Sequence, residues 1–202
     1  LGGFPVGSIR GGRGFVAFDL IIRGGEVIDG TGSEPVLADV AVDDDRIVAV
    51  GQLSDAEAGR EIDARGMVVA PGFIDVHNHS DGWLLKEKNF QCKTLQGFST
   101  EVIMADGISY APVSRENWRE WIHYLRPLNG LSLQDYDGWE TLGEYMQRLD
   151  GCTAQNVATH VPYANVRALV NGFGPRPIDD SQQPRIRKLI EREMDAGAVG
   201  LS

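Results

Sequence analysis

At Pro71 the sequence changes its pattern, and that change restricts the fold more than any other feature. Across residues 18–70, short β-branched runs are separated by Gly and Asp turns. Leu20-Ile21-Ile22-Arg23 leads through Gly24-Gly25 into Glu26-Val27-Ile28, and Asp39-Val40-Ala41-Val42 leads through Asp43-Asp44-Asp45 into Ile47-Val48-Ala49-Val50. Residues 61–64 and 67–69 add two short strands around Arg65-Gly66. This spacing predicts hairpins and a small antiparallel β unit. Across residues 71–202, strands and helices alternate instead. Residues 73–79, 100–105 and 156–161 read as strands, and a fourth opens at Ala198. Residues 83–95, 115–125, 139–149 and 185–196 have helical spacing, with residues 127–137 as an irregular insertion. Such alternation implies parallel βα units, in an open doubly wound sheet or a barrel. Residues 1–17 are Gly-rich without periodicity and read as a flexible leader.

Charge and motif content remove several function classes. With 29 acidic and 19 basic residues the net charge is -10, which opposes binding to a phosphate backbone, so no nucleic-acid partner is expected. No apolar run is long enough to cross a bilayer as a helix, so no membrane partner is expected. Cys92 and Cys152 stand far apart and form no CxxC pair. No GxGxxG or GxxxxGK[ST] follows any strand, which removes the main support for dinucleotide and P-loop readings. The Asp43-Asp44-Asp45 run lacks the ligand spacing of a calcium loop and reads as a solvated hairpin turn. No secretory signal is visible, and a cytoplasmic location is expected. The chain starts at Leu1 and stops in an apolar run, which reads as an N-terminal fragment.

The segment richest in chemistry is Phe73-Ile-Asp-Val-His77-Asn-His79. On a strand, residues two apart point the same way. Phe73, Asp75, His77 and His79 are therefore expected on one face, towards a barrel interior, with Ile74 and Val76 under covering helices. Two imidazoles at the carboxyl end of a strand suit a divalent metal if other strands add ligands. The bland alternative is a pair of polar residues at a strand end. His160 reads as a hydrogen-bonded structural residue near the third strand's end, and His123 as part of a helix face.

Ala70-Pro-Gly-Phe-Ile-Asp-Val-His-Asn-His79, preceded by Ile21-Ile-Arg-Gly-Gly-Glu-Val-Ile-Asp-Gly-Thr-Gly32, resembles the amidohydrolase superfamily. Gln96-Gly-Phe-Ser-Thr100, Asn165-Val-Arg167 and Met194-Asp-Ala-Gly-Ala-Val-Gly-Leu-Ser202 resemble its N-acyl-D-amino-acid deacylase (D-aminoacylase) branch. The resemblance implies an α/β fold: the first half of a (β/α)8 TIM-like barrel over residues 71–202, after a β-rich, composite β-sandwich domain over 18–70. It implies metal ligation by His77 and His79. In the branch, the Cys of an Asn-Cys-Gly segment is a further ligand. Here Ala105 and Asp106 stand in place of that Asn and Cys, so Asp106 becomes the third candidate ligand. The alternative for Asp106 is a cap at a strand-to-helix turn. Tyr163 occupies the position of a family histidine.

The resemblance also implies zinc, as one or two divalent ions, and a small-molecule N-acyl-amino-acid substrate. An oligomer is compatible with it. The family's remaining metal histidines and an essential Asp belong to later strands, beyond Ser202, so no catalytic base is named. The 202-residue chain alone is expected to be inactive, to bind zinc weakly and to aggregate or need a partner chain. The competing readings are a cyclic amidohydrolase of the dihydroorotase or dihydropyrimidinase type and a non-catalytic scaffold.

Overall fold

The computed structural model describes residues 17–202. The leader read over residues 1–17 lies outside the described residues, save for the backbone of Ala17. The chain divides at Pro71 into two compact units.

The first unit is one mixed sheet. Strand β1 (Ala17–Val27) pairs antiparallel with β2 (Val36–Asp43), and β2 pairs antiparallel with β3 (Arg46–Gly51). Strands β4 (Glu57–Asp63) and β5 (Val68–Val69) both run parallel to β1. The unit is therefore not the purely antiparallel sheet that the hairpin spacing predicts. Gly24-Gly25 makes no hairpin either. β1 runs straight through the pair, and the register slips between Ile22 and Gly25 as a bulge. Close packing requires glycine here, because a Cβ on Gly25 would lie 2.4 Å from Val69 Cγ2. Asp43–Asp45 does form the β2–β3 turn, with Asp44 left-handed and its N–H donated to Asp19. Ile21, Ala41 and Leu53 form the unit's small core.

In the second unit, four parallel strands lie side by side in chain order: β6 (Phe73–Asp75), β7 (Phe98–Ile103), β8 (Asn156–Val161) and β9 (Gly200–Leu201). Sequential order without a switch point is barrel progression rather than a doubly wound sheet. The strands make a curled parallel sheet, half a barrel. Between β6 and β7 lie α1 (Asp81–Lys86) and α2 (Gln91–Thr94), two short helices in place of the one expected over residues 83–95. Phe90, with φ 31°, breaks them apart. Next come α3 (Trp118–Asn129) and α4 (Leu142–Gln147) between β7 and β8, then α5 (Tyr163–Asn171) and α6 (Gln183–Asp195) between β8 and β9.

The α3 helix runs through Pro127, where an irregular segment was expected. Proline in the last turn removes only a hydrogen bond near the helix end, and left-handed Gly130 closes the helix. Trp121, Ile122, Leu125 and Asn129 form its buried face. The sequence reading contains no helix directly after β8. Pro162 and Gly172 bracket α5 and are the start and stop signals that could have found it. Thr141 and Glu144 form a capping box on α4, and buried Glu193 of α6 accepts the N–H of Leu142 at 2.9 Å.

The core lies between the sheet and the helices. It holds Ile103 and Val161 from the strands, with Ile122, Trp139, Leu142 and Tyr145 among its largest fully buried side chains. Helix α1 meets the end of α3 so closely that a Cβ on Gly82 would lie 2.3 Å from the Asn129 carbonyl oxygen and 2.6 Å from Leu131 Cγ. Neither obstacle is the end of a flexible side chain free to move away. Gly82→Ala is therefore expected to destabilise the unit by roughly 2–3 kcal/mol, read as a lower urea midpoint at unchanged slope. An unchanged midpoint would show that this contact is not tight.

Candidate metal centre

Strand β6 ends at Asp75, and His77 and His79 stand in the loop beyond it. The expected strand to residue 79 is therefore four residues too long, and the facing derived from it fails for Ile74, Asp75 and Val76. Asp75 pairs in register with Glu101 of β7, on the face whose next member is core Ile103. Its carboxylate forms an ion pair with Lys93 of α2. Burial works against the Asp75 charge, but the Lys93 ammonium holds its pKa below the usual range. Ile74 and Val76, expected beneath the helices, are 60% and 66% exposed. The physical reason is that α2 presents a cation, which claims the one carboxylate of β6 for the helix side. Glu101, beside this pair, is fully buried, and burial pushes its pKa up.

Beyond the strand, Asn78 organises the histidine loop. Its amide donates to the carbonyls of Asp75 and Val102, both at 3.4 Å, and its Oδ1 accepts the N–H of Ser80 at 3.0 Å. The buried Asn78 thus ties the loop to β7 and leaves the imidazoles on either side of it outward. The rings sit 6.0 Å apart, centre to centre.

Asp106 arrives from β7 through an unusual backbone. Met104 and Asp106 are both left-handed, with φ of 63° and 60°, and Gly107 follows at 72°. Non-glycine residues rarely adopt this region, and surrounding bonds must hold them there. The loop is held on both sides. Asp81 accepts the N–H of Met104 at 3.0 Å. Ser202 donates its hydroxyl to the Met104 carbonyl at 2.7 Å and accepts the N–H of Gly107 at 3.2 Å. Burial pushes the Asp81 carboxyl up to about 6. The Ser109 hydroxyl and the Asn129 amide also donate to Asp81, and Asn165 exchanges hydrogen bonds with the Ser109 backbone.

The outcome is convergence. His77 Nε2 lies 3.2 Å from Asp106 Oδ1, and His79 Nε2 lies 3.3 Å from Asp106 Oδ2. One donor atom from each of the three residues falls within 4.8 Å of the others. Zinc with ligand bonds of about 2.1 Å in a tetrahedron separates neighbouring donors by roughly 3.4 Å, and each imidazole nitrogen stands near that distance from one of the two carboxylate oxygens. Two imidazole nitrogens and a carboxylate oxygen are also a fitting donor set for a divalent transition metal. The His77 side chain is 61% exposed, Asp106 48% and His79 26%, which leaves the cluster open to a small molecule.

The other histidines and both cysteines stay out of the cluster. His123 is exposed on α3, Cys92 is exposed and Cys152 half-buried, both as free thiols. His160 is not the hydrogen-bonded residue expected, for its buried Nδ1 has no partner among the described residues. Tyr163 opens α5. Sequence reasoning missed Asn78, Asp81, Ser109 and Asn165. The one local signal was the polar run Asn78-His-Ser-Asp81 continuing past the second histidine.

A model of the amidohydrolase family matches residues 60–202. The chain belongs to the amidohydrolase family. This amidohydrolase is 38% identical over 189 residues to a D-aminoacylase of Alcaligenes xylosoxydans xylosoxydans, an alignment covering 92% of this chain and 37% of that protein. A solved D-aminoacylase with a binuclear metal centre superposes with a TM-score of 0.77 at 38% identity, covering 91% of this chain and 38% of the other. An N-acyl-D-glutamate deacylase from Bordetella bronchiseptica, complexed with zinc and a phosphonate mimic of the tetrahedral intermediate, superposes with a TM-score of 0.76 at 32% identity. That match covers 92% of this chain and 38% of the deacylase. The chain spans a little over a third of the length of the curated relatives it matches.

Proposed function

We propose that this amidohydrolase hydrolyses the amide bond of N-acyl-D-amino acids, using one or two divalent ions of which zinc is the first choice. The observation that carries the reading is the convergence of His77, His79 and Asp106 at the carboxyl ends of parallel strands. That is the end where barrel enzymes place their chemistry. The D-aminoacylase and D-glutamate deacylase relatives supply the substrate class. The complete (β/α)8 barrel, the β-sandwich domain and a cytoplasmic location belong to the same proposal.

In this reading His77, His79 and Asp106 hold the metal. When bound, zinc polarises a carbonyl oxygen and brings the pKa of water to about 7. The chain's own contribution is placement. Asn78 fixes the histidine loop, and Asp81 and Ser202 fix the loop carrying Asp106. Asp106 turns one oxygen towards each imidazole, so its carboxylate would complete the donor set with His77 and His79. A carboxylate in place of a thiolate also makes this donor set harder, which moves preference away from the softest metals.

The test has two arms. The complete protein, assayed with N-acyl-D- and N-acyl-L-amino acids and with cyclic amides, is expected to release amino acid from the D-series in a zinc-dependent way. Hydrolysis of cyclic amides alone, or activity indifferent to chelators, would refute the reading. The 202-residue chain by itself is expected to hold zinc weakly and to turn over none of them, since it supplies three identified donors and no identified base. Stoichiometric, tightly held zinc with turnover would refute that second expectation.

A further inference from the structure

We infer that Asp81 is a positioning residue of the metal centre, setting the reach of Asp106 by holding Met104 in its left-handed turn. The inference rests on the proposed metal-binding role of His77, His79 and Asp106, and adds a residue that supplies no donor atom itself.

Met104 is fully buried and left-handed, so its N–H can meet no water and needs an acceptor inside the protein. Asp81 Oδ1 is that acceptor, at 3.0 Å. The same oxygen accepts the Ser109 hydroxyl at 2.6 Å, and Oδ2 accepts the Asn129 amide at 3.0 Å. Three donors, two from the loop after β7 and one from the end of α3, therefore meet on one carboxylate that is 1% exposed. Asp81 itself opens α1, two residues after His79. One short stretch of chain thus carries two imidazoles outward and a carboxylate inward, and the inward group grips the loop that brings the third donor. Without an acceptor, the Met104 N–H would be buried unpaired. The loop would relax towards ordinary backbone angles and carry Asp106, two residues on, away from the imidazoles.

Asparagine should largely substitute. Its Oδ1 can still accept the Met104 N–H. Its new amide would face Asn129, whose own Oδ1 is buried without a partner among the described residues and becomes an acceptor if that amide turns over.

The experiment measures zinc affinity of the complete protein by chelator competition, and hydrogen exchange at its Met104 amide without metal. Asp81→Ala is expected to weaken zinc at least tenfold, Asp81→Asn no more than threefold. In an Asp106→Ala background, Asp81→Ala is expected to cost less than twofold, because its effect passes through Asp106. Met104 exchange is expected to rise at least tenfold in Asp81→Ala and to stay near wild type in Asp81→Asn. Equal zinc losses in both backgrounds, or an unchanged Met104 amide, would overturn the inference. If Asp81→Ala does not fold, Asp81→Asn decides alone, and a tenfold zinc loss or an unprotected Met104 overturns it. If the wild-type protein and His79→Ala bind zinc equally, the metal reading fails, while Met104 exchange still decides whether Asp81 holds the loop.

Discussion

Replacing His79 with alanine is expected to lower the zinc affinity of the complete protein by about a hundredfold or more. Losing even a partner of a metal ligand commonly costs 10- to 100-fold, and a ligand itself should cost at least the upper end. His79 is the better-buried imidazole, 26% exposed against 61% for His77. Water competes less for its nitrogen, so His79→Ala should be the more damaging of the two histidine changes. Asp106→Cys supplies a contrasting result. A thiolate is softer than a carboxylate, and the ratio of zinc to manganese affinity should rise. Competition titrations with both ions on the wild type and the variants check all three statements. Equal zinc affinity in wild type and His79→Ala would show that the ion is held elsewhere. A zinc-to-manganese ratio unmoved by Asp106→Cys would remove Asp106 from the donor set.

The second large effect concerns the support beneath the site. Trp139→Ala is expected to destabilise the second unit by about 4 kcal/mol, within the range for emptying a large aromatic site. Trp139 is 1% exposed, and its indole Nε1 donates to the Tyr110 carbonyl at 2.8 Å. It meets Tyr136 and Tyr145 edge-on at 4.7 and 5.4 Å between ring centres. Truncation opens a cavity and leaves a buried carbonyl unpaired, two costs that add. Since domains hold together by only about 5–15 kcal/mol, such a loss is a large share of the total. The effect should also reach the metal centre, because the Tyr145 hydroxyl donates to the Asp81 carbonyl. Trp139→Phe, which keeps most of the packing and loses the donor, should cost far less. Urea unfolding of the three proteins measures the series. Equal losses for Phe and Ala would place the whole effect on the hydrogen bond.

The strand–helix alternation after Pro71, the three candidate donors and the family were all legible in the sequence. They are local properties. Periodicity reports which residues need burial, and His77-Asn-His79 reports donor chemistry irrespective of its surroundings. Strand β8 was read at its observed bounds because Asn156–Val161 lies between clear turn residues. Element ends and pairing partners were less legible. The Gly24-Gly25 pair suits a turn by composition, and only the approach of Val69 from another strand makes it a bulge within a continuous strand. Likewise, β4 and β5 became parallel partners of β1 through long connections that no hairpin rule describes.

The metal centre divides in the same way. The sequence by itself determined which atoms could ligate, because His77, His79 and Asp106 are fixed by identity. Tertiary structure alone decided their geometry. Strand alternation alone would place the histidines together on a strand, and that strand stops at Asp75. What brings them to Asp106 is a set of long-range hydrogen bonds from Asn78 to Val102, from Met104 to Asp81 and from Ser202 to Met104. The partners in these bonds are 24, 23 and 98 residues apart. A left-handed Met104 has no preference written in its own side chain. It exists because a buried N–H must find an acceptor, and the acceptor is supplied by a residue brought there by the packing of α1 against the core.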